Sequence, residues 1–233
     1  EIDEVDRQAW MKPTSEHVVD HQQWLQKRLE CIQPLFEQPL QWSSTLLLDS
    51  SKGHASHWLA AWLQQQGLAV EEVSSQAPAM NDGCGAGELS PGQSWSWDEI
   101  ASSGHLLIQS LASQGAGTIL GAALDGDGDR LVMVHPQHGQ LDGDDLLWML
   151  SQGTTDTVVG TVMTNGGLEQ ALGNRLVRTA VGDAKVWAEM LRIGSPLGGE
   201  PSGHIMLREG MPTSDGLYTA MRILQKSVNR NLP

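Results

Sequence analysis

Leu124-Asp125-Gly126-Asp127-Gly128-Asp129-Arg130-Leu131 is the stretch on which the reading of this chain turns. It follows an apolar run (Thr118, Ile119, Leu120, Ala122, Ala123) and leads at once into another, Leu131-Val132-Met133-Val134, so it reads as a loop between two buried strands. Carboxylates at three alternate positions repel one another and call for a compensating cation. Hard oxygen ligands on a tight loop suit Mg²⁺ or Ca²⁺ rather than zinc. Gly126 and Gly128 are expected to let the backbone fold around the ion, since glycine takes positive φ without steric cost.

Three plainer readings compete. An EF-hand loop needs glycine sixth and glutamate twelfth, where this chain has Arg130 and Pro136, and so fails. A surface hairpin turn and a solvated acidic loop are the others. Against both stands Arg130, a cation beside the acids at the mouth of a second apolar strand.

The layout recurs at Leu197-Gly198-Gly199-Glu200-Pro201-Ser202-Gly203-His204-Ile205, again with an apolar strand (Ile205-Met206-Leu207) leading away. After each strand come a glycine (Gly139, Gly210) and an Asp-Gly that opens a helix (Asp142-Gly143, Asp215-Gly216). One supersecondary unit is used twice. Glu200, Ser202 and His204 are expected to project from alternate positions of an extended segment to one side. A carboxylate, a hydroxyl and an imidazole so placed can hold vicinal sugar hydroxyls; a turn with a satisfied histidine is the alternative.

These two loops, in this order, resemble the magnesium loop (Asp125 to Arg130) and the sugar-recognition loop (Gly199 to His204) of the α-D-phosphohexomutases. Val158 to Asn165 with Gly167-Leu168-Glu169, then Val181-Gly182-Asp183, and earlier Asn81-Asp82-Gly83-Cys84-Gly85, look most like the phosphoglucosamine mutase branch of that family. The resemblance covers nearly the whole chain, weakly before Thr45. It implies a phosphoryl shift between the 6- and 1-oxygens of a hexose phosphate, through a phosphoserine and a bisphosphorylated sugar. For this branch it implies glucosamine 1-phosphate, an amino-sugar precursor of the cell wall. Mg²⁺ would sit on Asp125, Asp127 and Asp129, Arg130 would hold a phosphate oxygen, Glu200 and Ser202 would grip the sugar, and His204 would carry a proton. Lys185 is a candidate substrate contact that departs from the pattern. The family's arginine directly after Gly-Asp is replaced by Ala184, and a one-residue shift on a helix turns the side chain away.

Strands alternate with helices from Thr45 onward, which implies α/β architecture: two consecutive domains with mixed, largely parallel sheets, as in the family's middle domains. Residues 1–141 are assigned to the metal loop's domain and 142–233 to the sugar loop's, with the boundary good to about four residues. Helical faces are expected around Trp24, Leu25, Arg28 and Leu29, from His54 to Gln66, around Leu107 and Leu111 up to Gly115, and over Leu146–Leu150, Leu168–Leu172 and Val186–Leu191. The last helix is expected to be capped by Ser214 and to bury Leu217, Ala220, Met221, Leu224 and Val228. Ser74 to Ser96, rich in Gly, Pro and Ser, reads as a functional loop. The nine tryptophans fall mostly on helices, where they pack in the core.

A formal net charge of −14 and a pI near 4.8 exclude recognition of nucleic acid or anionic membrane through a basic surface. Two cysteines without a Cys-x-x-Cys give neither a disulfide framework nor a zinc ribbon, so a reducing, cytoplasmic setting is expected. No apolar run is long enough to span a bilayer, and the first residues are not signal-like.

His54-Ala55-Ser56-His57 lacks a third ligand and is not assigned a metal. Ser56-His57 lies in a helical pattern and cannot stand for the family's Ser-His-Asn-Pro type active-serine loop. Neither that loop nor an Arg-x-Ser-Gly-Thr-Glu type phosphate loop is found. With Glu1 in place of an initiator methionine, the chain is expected to be a fragment or processed product, inactive alone, with its oligomeric state open. The alternatives are a phosphomannomutase or phosphoglucomutase, and a non-catalytic sugar-phosphate or metal-binding module.

Overall fold

The computed structural model describes residues 21–36, 44–89, 96–114 and 120–230, with side chains described between 26 and 227 within those ranges. The expectations for the side chains of Trp24, Leu25 and Val228, for Gly115, Thr118 and Ile119, and for positions 90–95 of the Gly/Pro/Ser-rich loop lie outside the described residues.

The chain forms two mixed sheets. The first contains β1 (Leu46–Asp49), β2 (Val70–Glu72), β3 (Leu120–Leu124), β4 (Leu131–His135) and β5 (Gly139–Leu141), in the order β2-β1-β3-β4-β5. β1 runs parallel to β2 and β3, while β4 and β5 are added antiparallel. Alternation along the strands sends Leu46, Leu48, Ala122, Leu124, Leu131 and Met133 to one core and Leu47, Ala123, Val132 and Val134 to another. The sheet is therefore covered on both faces, which is why its strands read as continuous apolar runs. α1 (His21–Ile32) and α2 (Leu59–Gln65) supply Ile32, Leu59 and Leu63 to the first core. α3 (Trp97–Ile100) and α4 (Leu106–Ser113) supply Ile100, Leu107, Ile108 and Leu111 to the second.

The second sheet contains β6 (Val158–Thr161), β7 (Leu176–Thr179), β8 (Leu197–Gly199) and β9 (Ile205–Leu207), in the order β7-β6-β8-β9. β6 is parallel to β7 and β8, and β9 is antiparallel to β8. α7 (Asp183–Ile193) covers one face with Val186 and Met190. On the other face lie α5 (Gly143–Ser151), which also packs on α6 (Gly166–Leu172), and α8 (Gly216–Arg230). α8 also packs on β3 and β4 of the first sheet. One apolar core, with Leu146, Leu150, Leu217, Met221 and Leu224 at its centre, therefore runs between the sheets.

The repeated unit read from the sequence is present twice. β3 and β4 form an antiparallel hairpin around residues 125–130, β8 and β9 form one around 200–204, and a helix follows each. Both loops sit at the carboxyl ends of the parallel strands, where α/β sheets present their ligand sites.

Several local expectations change. α8 is capped by Asp215, whose Oδ1 accepts the Tyr218 amide at 3.0 Å, and not by Ser214; the two adjacent residues are both good caps, and the helix starts one residue later than expected. The helix expected from His54 is a 3₁₀ turn, His54–His57, followed by α2 from Leu59. Within the loop after β2, the described part holds 3₁₀ turns at Ser74–Gln76 and Ala86–Glu88. Trp58, Trp62, Trp97 and Trp187 pack against the cores, whereas Trp148 is exposed. Gly128 has the expected positive φ of 79°, but Gly126 does not.

Candidate active site

The acidic loop is shaped by its first carboxylate. Asp125 Oδ1 accepts the amides of Gly128 at 3.1 Å and Arg130 at 3.2 Å, closing the loop into a turn that carries Asp127 outward. His54 N donates to the Gly126 carbonyl at 2.9 Å, so the turn after β1 supports the loop from beneath. The carboxylates of Asp125, Asp127 and Asp129 each place an oxygen within 4.8 Å of the others. Burial, with the charges of Asp129 and Asp127, pushes the Asp125 carboxyl up, against the pull of the Arg130 amide and guanidinium. Three acids share one guanidinium, Arg130 Nε lying 3.3 Å from Asp125 Oδ2. That shortage of positive charge and the all-oxygen donor set fit Mg²⁺.

Glu200, Ser202 and His204 do converge, though not from an extended segment. The chain turns between them: Gly203 N donates to Glu200 O and Glu200 N to His204 O, both at 3.0 Å. The turn brings Ser202 Oγ to 2.9 Å from His204 Nδ1 and Glu200 Oε2 to 3.5 Å from it. Glu200 is buried, and its Oε1 already accepts the Gly182 amide at 2.8 Å. One carboxylate oxygen is thus shared with the protein, leaving Oε2 as the freer acceptor.

The two loops touch. Arg130 and His204 form an isolated antiparallel bridge, and Leu131 N donates to Gly203 O at 3.0 Å. Between the side chains, Arg130 Nε and Asp129 Oδ1 lie 3.2 and 3.3 Å from the same nitrogen, His204 Nε2, which accepts from Arg130 in the tautomer that leaves it bare and donates to Asp129 when it carries a proton. Burial would lower the His204 pKa, but the hydrogen bond to Asp129 and the charges of Asp183 and Asp129 outweigh it and raise it, with Arg130 opposing. Reciprocally, the His204 contact holds the Asp129 carboxyl below its ordinary range. Asp129 therefore belongs both to the acidic triplet and to a second group with Asp183 and His204.

Asp183 was legible only as part of a motif. At the start of α7 its Oδ1 lies 3.8 Å from His204 Nδ1, and Ser214 Oγ donates to its Oδ2 at 3.1 Å. The expected candidates Asp125, Asp127, Asp129, Arg130, Glu200, Ser202 and His204 all meet here. Lys185 does not: it is exposed on the first turn of α7, and among the described residues its side chain makes no hydrogen bond or ion pair with them.

Residues 142–232 match the model of the phosphoglucomutase/phosphomannomutase alpha/beta/alpha domain III. A phosphoglucosamine mutase of Xylella fastidiosa (strain M12) is 33% identical over 189 residues, 77% of this chain and 39% of that protein. The phosphoglucosamine mutase of Thermotoga maritima is 47% identical over 121 residues, 46% of this chain and 28% of that protein. A crystal structure of a phosphoglucomutase/phosphomannomutase family protein from Burkholderia thailandensis superposes with a TM-score of 0.65 at 24% identity, covering 87% of this chain and 44% of that one; at that identity it speaks for the fold alone. The chain thus spans less than half the length of each of these relatives, and under two fifths of the two phosphoglucosamine mutases. No helix among the described residues is long and apolar enough to cross a membrane. With both loops at the ends of the expected strands, the domain III match over residues 142–232 and a 33% identical relative aligned over 77% of the chain, the chain belongs to the phosphohexomutase family.

Proposed function

We propose that this chain carries the metal and sugar halves of the active site of a phosphoglucosamine mutase, which interconverts glucosamine 6-phosphate and glucosamine 1-phosphate in the cytoplasm. Residues 1–141 are the unit of the metal loop and 142–233 the unit of the sugar loop. The observation that carries the reading is the direct contact of the two loops through Arg130 and His204, 3.2 Å apart. It sets a cation-binding triplet against a polar cluster able to grip a sugar.

Phosphoryl transfer demands positioning and neutralisation of charge more than covalent chemistry. Asp125, Asp127 and Asp129 would hold Mg²⁺, which when bound draws charge from a phosphate. Arg130 offers its remaining guanidinium donors to a phosphate oxygen. Glu200 Oε2 and Ser202 accept from sugar hydroxyls that are alike in both orientations of the substrate. His204, flanked by Asp129 on one ring nitrogen and by Ser202, Glu200 and Asp183 on the other, is placed to take and return a proton. The phosphoserine and the remaining phosphate contacts belong to the parent protein.

The test is Glu200→Gln in a full-length protein bearing these residues. Steady-state kinetics should show lower turnover from both the 1- and the 6-phosphate, because the grip is shared. An effect confined to one direction overturns the proposal.

A further inference from the structure

We infer that Arg28, on α1, is the positioning residue that sets the geometry of the metal loop, an inference that rests on the reading of that loop as a divalent-cation site. The Arg28 side chain is 2% exposed and its partner, Asp215, 7%. Its guanidinium takes both carboxylate oxygens: Nε donates to Oδ2 at 2.5 Å and Nη2 to Oδ1 at 2.7 Å. The same Nη2 lies 3.5 Å from the carbonyl of Gly128. Asp215 in turn caps α8 at Tyr218, and the next residue, Gly216, donates its amide to that Gly128 carbonyl at 3.0 Å. Gly128 N then donates to Asp125 Oδ1. Arg28 therefore reaches, through one carboxylate and one peptide, the residue that stands between Asp127 and Asp129.

Stability alone does not call for such a pair. A buried ion pair loses about as much in desolvation as it gains by attraction, and apolar residues of equal volume often serve as well. What a guanidinium adds is planar, forked geometry that a point charge cannot reproduce. Here the fork spans two carboxylate oxygens and faces a loop carbonyl, joining residues 187 apart in the chain. The loop lacks an internal partner for the Gly128 carbonyl, so its placement is delegated to α1 and α8.

The experiment uses the 233-residue chain and Mn²⁺ as the probe, with the free ion followed by electron paramagnetic resonance. Amide hydrogen exchange is followed at residues 128–131. Arg28→Lys should weaken Mn²⁺ binding roughly tenfold and speed exchange at those amides. Ile32→Val and Ile32→Ala, on the same helix and bracketing the thermal midpoint of Arg28→Lys, should do neither. Equal affinity and exchange in Arg28→Lys and in the matched Ile32 variant overturns the inference and leaves Arg28 an ordinary structural residue. Should Arg28→Lys not fold, Asp215→Asn, which keeps an acceptor for the Tyr218 amide, carries the same comparison. Asp127→Asn separates the two readings: if wild type and Asp127→Asn bind Mn²⁺ alike, the cation site itself fails, and exchange at 128–131 alone decides whether Arg28 places the loop.

Discussion

Glu200 has two tasks that substitution can separate. Its Oε1 satisfies the half-buried Gly182 amide, and its Oε2 faces His204. Alanine would leave the Gly182 N–H without an acceptor and should lower stability by about 1–3 kcal/mol. Glutamine keeps a carbonyl oxygen for that amide, so its thermal midpoint should stay close to wild type even as the proposed sugar contact weakens. Equal destabilisation by both changes would show that the charge, and not the acceptor, holds Gly182. Single residues were also where the sequence spoke most unevenly. The three aspartates announced themselves because glycines and apolar strands frame them, and Glu200, Ser202 and His204 because they share one short loop. Arg28 was legible only as part of a helical pattern: an arginine on a helix ordinarily lies in solvent, and its partner comes 187 residues later in the chain. Asp183 reaches His204 only through the packing of α7, a contact no local spacing encodes.

At the scale of elements, the apolar runs of β3, β4 and β6 were readable because both faces of each sheet are covered. β5 and β8 escaped notice as three-residue strands rich in glycine, Gly139-Gln140-Leu141 and Leu197-Gly198-Gly199, whose pairing is set by neighbours and not by propensity. The first turn of α5 shows a different conflict. Asp142 caps the helix, accepting the amides of Asp144 and Asp145, while Asp144 is buried and ties α5 to the start of α6 through Asn165 N at 2.7 Å. Among the described residues its other oxygen accepts no hydrogen bond. Burial, aided by the charges of Asp142 and Asp145 and opposed by the Asn165 hydrogen bond, raises its pKa to about 6. The folded state therefore holds this proton more tightly than the unfolded chain. Stability from this group is complete below about pH 4 and is lost as pH rises through about 6, a loss of up to about 3 kcal/mol. Asp144→Asn cannot titrate. Urea midpoints measured from pH 4 to 7.5 should show the variant gaining on wild type as pH rises, whatever the constant cost of the amide. A difference between the two proteins that does not vary with pH would contradict the raised pKa.

Across the whole molecule the two repeated units are crossed. α5 follows the metal hairpin, yet its first residue lies beneath the sugar loop: Gly143 N donates to Pro201 O at 3.1 Å, and a Cβ on Gly143 would stand 1.9 Å from Glu200 O. α8 follows the sugar hairpin, yet its first residue lies beneath the metal loop: Gly216 N donates to Gly128 O, and a Cβ there would stand 2.3 Å from Arg130 O. Both obstacles are backbone carbonyls, which cannot swing aside as a side chain can. Sequence gave each Asp-Gly as a helix start but not this exchange, because it depends on how the sheets are set around one shared core. The crossing makes the half-sites a single mechanical unit, closed by the bridge between Arg130 and His204. Gly143→Ala should therefore disturb the amide resonances of residues 200–204 more than those of 125–129, although the latter belong to the unit that precedes it. Gly216→Ala should do the reverse. Because both changes press on loops that touch, their costs should not add: a double-mutant cycle on unfolding free energy should give a coupling of about 0.5–3 kcal/mol. Strict additivity, with each substitution felt only within its own unit, would mean that the metal and sugar loops are held independently and can part without strain.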